Sequence, residues 1–450
     1  MSLLYSKAAE ILKQVCEGGK GFRDVFYSTD TGSAKTKLYA LVSKTLALRP
    51  KLEEALQTVF PDEKFENLYF TLAMTCDIVH GREISGGGKI KRLLEKSKSK
   101  LKSLLKPAVK KVVATSSGPE HRFIRVIGDP KAIEREIVDI LNISTAKTSH
   151  EAPASITIPI FKSTEFPEVF ELTDPTLVGR MMRSETIRSS ILKNRAFFQD
   201  KSTCITAHVL LDKLPTNPVH VLDVCAAPGS KSLHILSRLR LGDQLTLVEK
   251  SEKRAEVLKK RLMEATGWNG QDHGIIPADS PFGSGVKLRL ITADFQTVNL
   301  PSVTHISLDP SCSGSGMETH AEGSSDAARL FNLAELQKRL LRHALKSFPK
   351  VQSVCYSTCS ENREENEGVV ESLVGTACAR NFQVSDEFAK YLSVFKDGKC
   401  LKTSQAKSKC RGFFLAKLVR VEEKKGSVVV LAGNTKVKKV NPKMMGKGDD

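Results

Sequence analysis

From residue 219 to residue 419 the chain alternates short apolar runs with stretches of helical periodicity, and this alternation restricts the fold more than any other feature of the sequence. The runs are 219–224, 244–248, 286–291, 303–308, 352–356 and 413–419, with helices predicted at 231–239, 252–266 and about 330–348. Apolar runs this short, without polar alternation, suit strands buried on both faces of a parallel sheet. The pattern specifies an α/β fold whose mostly parallel sheet is covered by helices. Ligands of such sheets bind at the carboxyl ends of the strands.

Two cysteines fall at such ends. Cys312 lies in Asp309-Pro-Ser-Cys-Ser-Gly-Ser-Gly316 and Cys359 in Cys355-Tyr-Ser-Thr-Cys-Ser360, each after an apolar run and before small polar residues. Two thiols meeting at one crevice point to covalent chemistry that is started and then undone; the plainer alternative is a pair of buried small hydrophobes. The first strand leads into Val221-Leu-Asp-Val-Cys-Ala-Ala-Pro-Gly-Ser-Lys231, where Pro228 and Gly229 make a tight turn. Ala226 and Ala227 there leave the backbone open to a nucleoside. The glycine spacing of dinucleotide binders and the Gly-Lys-Ser/Thr ending of a phosphate loop are both missing from this turn. Glu249 ends the second strand, where an acid accepts hydrogen bonds from ribose hydroxyls. With Asp223, Asp294 and Asp309 it makes four acids at successive strand ends, a rim suited to a ribose, an adenine and a cationic centre. S-adenosylmethionine is the common cofactor of that description.

The 450 residues carry 69 basic and 51 acidic side chains, a net charge of +18, which points to a polyanionic partner. Ten cysteines, with no Cys-x-x-Cys pair, indicate neither a disulfide scaffold nor a zinc site, and the histidines are scattered without metal-ligand spacing. No signal peptide or membrane span is read, so an intracellular protein with reduced thiols and no membrane partner is expected. Residues 1–88 read as a helical domain ending at the Gly86-Gly87-Gly88 hinge, and 89–118 as a basic amphipathic helix up to Lys106 followed by a linker. Residues 119–196 read as a small α/β domain, 197–421 as the sheet domain and 422–450 as a Lys-rich disordered tail. The basic helix, Arg122 and Arg125 on the strand at 121–126, and the tail are candidates for phosphate contact.

Three of these segments carry a resemblance. Residues 223–231, 309–316 and 356–360 with Glu365-Asn366-Glu367 resemble the Sun-domain (NOL/NOP/Sun, RsmB-like) RNA cytosine-5 methyltransferases, and Gln199-Asp200-Lys201 and Gly412-Phe-Phe-Leu415 resemble that family's flanking motifs. The likeness spans about residues 119–421, and the Ser-Gly-Ser-Gly extension after Cys312, the helical amino-terminal part and Arg122-Phe-Ile-Arg-Val126 are most similar to the family's fifth eukaryotic branch, which acts on large-subunit ribosomal RNA. Ile127 stands where that family commonly has asparagine, and Glu249 where aspartate is usual. The resemblance implies a Rossmann-like, seven-stranded, mostly parallel methyltransferase sheet and an RRM-like small domain that binds RNA. It implies an S-adenosylmethionine site lined by Cys225, Ala226, Ala227, Pro228, Gly229, Ser230, Lys231, Glu249, Arg254, Asp294 and Asp309. It assigns attack to Cys359, product release to Cys312 and contact with cytosine N3 to Asp309.

Such chemistry needs a thiolate at C6 because C5 is a poor nucleophile by itself. The target cytidine must be unstacked or already in a loop. The expected partners are structured ribosomal RNA and a pre-ribosomal particle, and the expected place is the nucleolus. The sequence leaves the target nucleotide and the oligomeric state open. Two alternatives remain at this stage: an RNA-binding assembly factor without turnover, and a DNA cytosine-5 methyltransferase.

Overall fold

The apolar runs become the strands of one large twisted sheet, and two smaller units precede it. The computed structural model describes residues 3–18, 22, 25, 26, 29, 35–84, 88–106, 121–146, 159–174, 176–317, 327–377, 379–385, 396, 397 and 399–421. The expected linker at 112–119, Gly86 and Gly87 of the hinge, the start of the strand expected near Ser155, Cys378 and the 422–450 tail lie outside these residues.

Helices α1 (Leu3–Cys16), α2 (Lys35–Val59) and α3 (Leu68–Val79) form the first unit. Asn67 caps α3 by accepting from the Phe70 amide at 2.9 Å, and Tyr5 donates to the buried Asp77 at 3.0 Å. The basic segment is not one helix. It breaks at Ser97 into α4 (Lys89–Lys96) and a second helical stretch over 98–106. The break keeps Leu94, Leu101 and Leu105 on the same helical core, which leaves Lys96, Lys98, Lys100 and Lys106 in solvent. Among the described residues no helix is long and apolar enough to cross a membrane.

The second unit is a four-stranded antiparallel sheet of β1 (Arg122–Val126), β2 (Phe161–Ser163), β3 (Val169–Leu172) and β4 (Ala196–Phe198), in the order β2-β3-β1-β4. Helices α5 (Pro130–Ala146), α6 (Thr176–Arg183) and α7 (Glu185–Ser190) complete it. Strand alternation sends Ile124 and Val126 into this unit's own core and Phe123 the other way, into the core of the large sheet domain. Arg125 shares the Phe123 face. It is buried at 1% exposure, donates to Gln199 at 3.0 Å and lies over the Phe197 ring at 5.0 Å. Arg125 is therefore an interior residue rather than a phosphate contact, and burial pushes its guanidinium down to about 10. Ile127 likewise packs on the main core. RRM sheets stack bases on the exposed aromatics of one face, but here the face carrying Phe123 and Phe197 is covered.

Helix α8 (Lys201–Leu210), capped by Asp200, leads into the large domain. Its core strands are β5 (His220–Val224), β6 (Gln244–Glu249), β8 (Lys287–Thr292), β9 (His305–Leu308) and β10 (Ser353–Thr358), all parallel, in the order β8-β6-β5-β9-β10. The antiparallel strands β14 (Phe413–Arg420) and β13 (Cys400–Thr403) extend the sheet, giving the expected seven strands. Three short strands, β7 (Gly274–Ile275), β11 (Phe382–Val384) and β12 (Lys396–Asp397), bring the sheet to ten. Helices α9 (Ser230–Leu236), α10 (Glu252–Thr266), α11 (Ala327–Lys346) and α12 (Glu367–Glu371) lie between strands.

Burial pushes His220 and His305 down to about 4 and His234 down to about 3, so all three are neutral in the folded protein. The unfolded chain protonates them below about pH 6.5, so it binds more protons and gains on the folded state as pH falls. Asp223 acts in the opposite direction: burial raises it to about 6, so the folded state takes up its proton first. Between pH 6 and 4 the net effect is that of two histidines, up to about 3 kcal/mol lost per pH unit. The melting temperature should therefore fall steadily from pH 6.5 to pH 4.5. A flat profile across that range would show that these imidazoles are not buried as neutral groups.

Candidate active site

Where β5 ends, the chain makes the turn that the small residues anticipated. Cys225 (φ 60°) and Gly229 (φ 98°) both lie in the left-handed region, and Gly229 caps α9. A Cβ on Gly229 would sit 2.6 Å from Leu258 of α10, so helix and turn are in close contact there. Two arginines brace the turn from behind, and one of them, Arg261, carries no signal in the sequence. Arg261 donates to Ser230 Oγ at 3.0 Å and to the Pro228 carbonyl at 3.3 Å, and Arg254 donates to the Ala227 carbonyl at 2.8 Å. Glu249 accepts from the Ala227 amide at 3.3 Å and the Ser251 amide at 3.1 Å, and Arg254 lies 3.6 Å away. Among the described residues one hydrogen bond falls on each carboxylate oxygen, which leaves acceptor capacity on both.

One of the four rim acids differs from expectation. Asp223 is 1% exposed and accepts from Ser232 at 2.6 Å, because the penultimate residue of β5 points under the turn rather than over it. It is an internal brace and not part of an open rim. Asp294 lies two residues beyond β8, accepts from the Gln296 amide and pairs with Lys250 at 2.8 Å. Together these hold its carboxyl below the usual range, Lys250 contributing most.

Asp309 follows β9 directly. Its Oδ2 accepts from Lys231 Nζ at 2.8 Å and its Oδ1 from Ser357 Oγ at 2.8 Å. Burial disfavours the Lys231 ammonium, but the Asp309 carboxylate more than offsets this and its pKa stands raised. Lys231 also lies 5.4 Å over the Phe413 ring.

Parallel pairing brings the two thiols together. Leu308 on β9 is opposite Tyr356 on β10, so Cys312 and Cys359 leave adjacent strands at the same end. Their sulfurs are 3.2 Å apart. The hydrogen bond to Cys359 is the main reason the Cys312 thiol is raised well above its usual value; burial, Glu365 and Asp309 add to it. The Cys312 loop can lie against the Cys359 strand because Gly316 passes Gly412 backbone to backbone, where a Cβ would come within 2.5 Å of the Gly412 carbonyl oxygen. By contrast, Cys355 is wholly buried within β10 and pushed up to about 12 by that burial.

The fold also gathers histidines that are remote in sequence. His208 of α8 and His234 of α9 approach one oxygen of Glu168 at 2.7 and 2.9 Å, with Arg238 at 3.7 Å. The arrangement ties the second unit to the helix that carries Lys231, and those bonds hold Glu168 well below the carboxylate range despite partial burial.

A family model described as 16S rRNA methyltransferase RsmB/F matches residues 209–419, and one described as the N-terminal domain of NOL1/NOP2/Sun domain family member 5 matches residues 36–117. Over residues 209–419 the chain matches the RsmB/F methyltransferase family, and over 36–117 the fifth NOL1/NOP2/Sun branch. It is 28% identical to a 28S rRNA (cytosine-C(5))-methyltransferase of Mus musculus, over 93% of this chain and 91% of that protein. It is 29% identical to the 25S rRNA (cytosine-C(5))-methyltransferase rcm1 of Schizosaccharomyces pombe, over 81% and 78%. The crystal structure of PH0851 shares the fold, with a TM-score of 0.56 at 15% identity over 89% of this chain and 94% of that one.

S-adenosylmethionine is this family's methyl donor, and the residues present fit it. Ala226 and Ala227 offer no bulk, Glu249 keeps free lone pairs for two hydroxyls, and Gly229 lets the turn close on α10. Gly229→Ala imposes an unfavourable φ and a clash with Leu258, so affinity for S-adenosylhomocysteine measured by calorimetry should drop about tenfold or more. Unchanged affinity would show that the turn does not hold the nucleoside.

Proposed function

We propose that the chain methylates C5 of a cytidine in large-subunit ribosomal RNA, with Cys359 as nucleophile, Cys312 as the product-release thiol and Asp309 at cytosine N3. The observation that carries this reading is the 3.2 Å approach of two thiols beside the Asp309–Lys231 pair. Bound S-adenosylmethionine supplies an electrophilic methyl group, with Cys225 to Lys231, Glu249, Arg254, Asp294 and Asp309 lining its place. Two thiols 3.2 Å apart do not both ionise, and in this reading the one that does is Cys359, whose thiolate the Lys231 ammonium favours. The thiolate adds to C6 and thereby makes C5 nucleophilic towards the methyl group that the donor would supply, the donor's sulfonium leaving as a neutral thioether. Asp309 is placed to stabilise the charge that develops at N3.

Release follows from the same pair. Once Cys359 is bonded to carbon it can no longer ionise, so it no longer competes with Cys312, 3.2 Å away, for the one negative charge the pair can hold. Cys312 then gives its own proton to solvent and, as thiolate, takes the C5 proton. The C5–C6 double bond re-forms, the C6–S bond breaks, and Cys359 leaves as thiolate.

The exposed lysines of α4 and of the stretch at 98–106 carry phosphate contacts in this reading, and the small unit contributes through its edges and helices rather than through its covered sheet face. A pre-ribosomal particle in the nucleolus is the corresponding setting. The test is base-resolution mapping of 5-methylcytosine in large-subunit ribosomal RNA incubated with the wild-type chain or with Cys359→Ala. A new methylated cytidine present only with wild type supports the reading, and none with either, or methylation confined to DNA, overturns it.

A further inference from the structure

Glu365 and Asn366 are neighbours in sequence and wholly buried, yet neither belongs to the cofactor turn or to the reacting pair. They fall where a single 3-10 turn, Arg363–Glu365, meets α12, and their side chains point to different loops. The Glu365 carboxylate is filled with donors. Its Oε1 accepts from the Ser313 amide at 2.8 Å and Gln337 Nε2 at 3.0 Å, and its Oε2 accepts from Ser313 Oγ and from Asn362 Nδ2. Gln337, reaching in from α11, also donates to the Ser311 carbonyl at 3.0 Å. Both residues flanking Cys312 are thereby tied to Glu365, one directly and one through Gln337.

Asn366 does the same for the other thiol. Its Oδ1 accepts from Thr358 Oγ1 at 2.6 Å and its Nδ2 donates to the Ser360 carbonyl at 2.8 Å. Thr358 and Ser360 flank Cys359. Each side chain suits its partners, since four converging donors call for a carboxylate, whereas one donor and one acceptor call for an amide. Tyr356 locks the pair from below by donating its hydroxyl to the Glu365 carbonyl.

We infer that these two adjacent residues divide the thiols between them, Glu365 positioning Cys312 for product release and Asn366 positioning Cys359 for attack. The inference rests on the thiol roles given under Proposed function. Displacing a reacting group by about 1 Å can cost about a hundredfold, so each clamp controls one half of the reaction. The two loops also touch through Ser313, Ser315 and Ser360 hydroxyls, but those contacts join one loop to the other and anchor neither to the body of the domain.

The experiment follows two readouts, methylated product and covalent protein–RNA adduct on denaturing gels, with large-subunit ribosomal RNA and full-length chain. Glu365→Ala should behave as Cys312→Ala does: product falls about a hundredfold while adduct accumulates. Asn366→Ala should behave as Cys359→Ala does, with neither product nor adduct. Glu365→Gln keeps one acceptor oxygen and should restore most release. Gln337→Ala, which leaves the carboxylate in place, should trap adduct more weakly and keeps the test available if Glu365→Ala does not fold. Loss of product and adduct together in both Glu365→Ala and Gln337→Ala, or adduct trapping by Asn366→Ala, would overturn the division. If Cys312→Ala itself traps nothing, the thiol roles are wrong. The clamp assignment is then judged by whether Glu365→Ala still follows Cys312→Ala and Asn366→Ala still follows Cys359→Ala.

Discussion

Cys359→Ala is expected to reduce methyl transfer by about a thousandfold or more and to eliminate any covalent RNA adduct, because removing a covalent nucleophile removes the reaction path rather than one contact along it. The fold should hardly notice. Cys359 is only partly buried at the end of β10, and losing its sulfur opens little space, so the melting temperature should stay within a few degrees of wild type. Cys355→Ala provides the contrast four residues earlier. It removes a wholly buried sulfur from the middle of the same strand and costs about 1 kcal/mol of stability, yet leaves transfer intact. Radiolabelled methyl incorporation and thermal unfolding of the two variants separate chemistry from packing. A Cys359→Ala enzyme that still transfers methyl groups at a tenth of the wild-type rate would overturn the assignment of the nucleophile.

The difference between those two cysteines was legible in the sequence because strand periodicity is short-range. An apolar run with a defined end says which residue is inside and which emerges, and β9 and β10 end where the runs at 303–308 and 352–356 suggested, within two residues. The helix over 252–266 is legible from its own periodicity, and the structure closes it with the Ser251 cap at one end and Gly267 at the other. What periodicity does not carry is which face meets which neighbour. Arg125 reads as a basic residue on a strand, and only the docking of the small unit against the large one shows that its face is interior. Asp223 fails in a similar way, one residue short of the rim, and Ser97 interrupts the basic helix by a local turn that its apolar stripe conceals.

Long-range hydrogen bonding is still less visible. His208 and His234 are 26 residues apart and meet on Glu168 from another unit, so sequence spacing gave no sign of them. Glu365 could be quoted as part of a motif, but its purpose depends on Ser313, 52 residues earlier, and on Gln337 of a separate helix. A buried carboxylate needs donors, and that requirement was the one available signal: a Glu-Asn-Glu sequence entering a helix beside a strand end asks where its donors are.

Asp309→Ala should damage both activity and stability, and the two losses should respond differently to a second change. Asp309 holds Lys231 through one oxygen and Ser357 through the other, which fixes α9 and β10 relative to the end of β9. Without the carboxylate, the Lys231 ammonium is left largely enclosed against the Phe413 ring with its main anionic partner gone. Both side chains keep some exposure, so the cost should be about 1 to 3 kcal/mol, below that of a wholly buried pair. Transfer should fall about a thousandfold, since the group proposed to stabilise charge at N3 is gone and the thiolate loses an ordered cation beside it. Adding Lys231→Met to Asp309→Ala removes the orphaned charge, so much of the stability should return. Activity should not, because neither the N3 contact nor the cation is restored. Recovery of transfer along with stability in the double variant would mean that Asp309 serves the fold alone, and that another group meets the base.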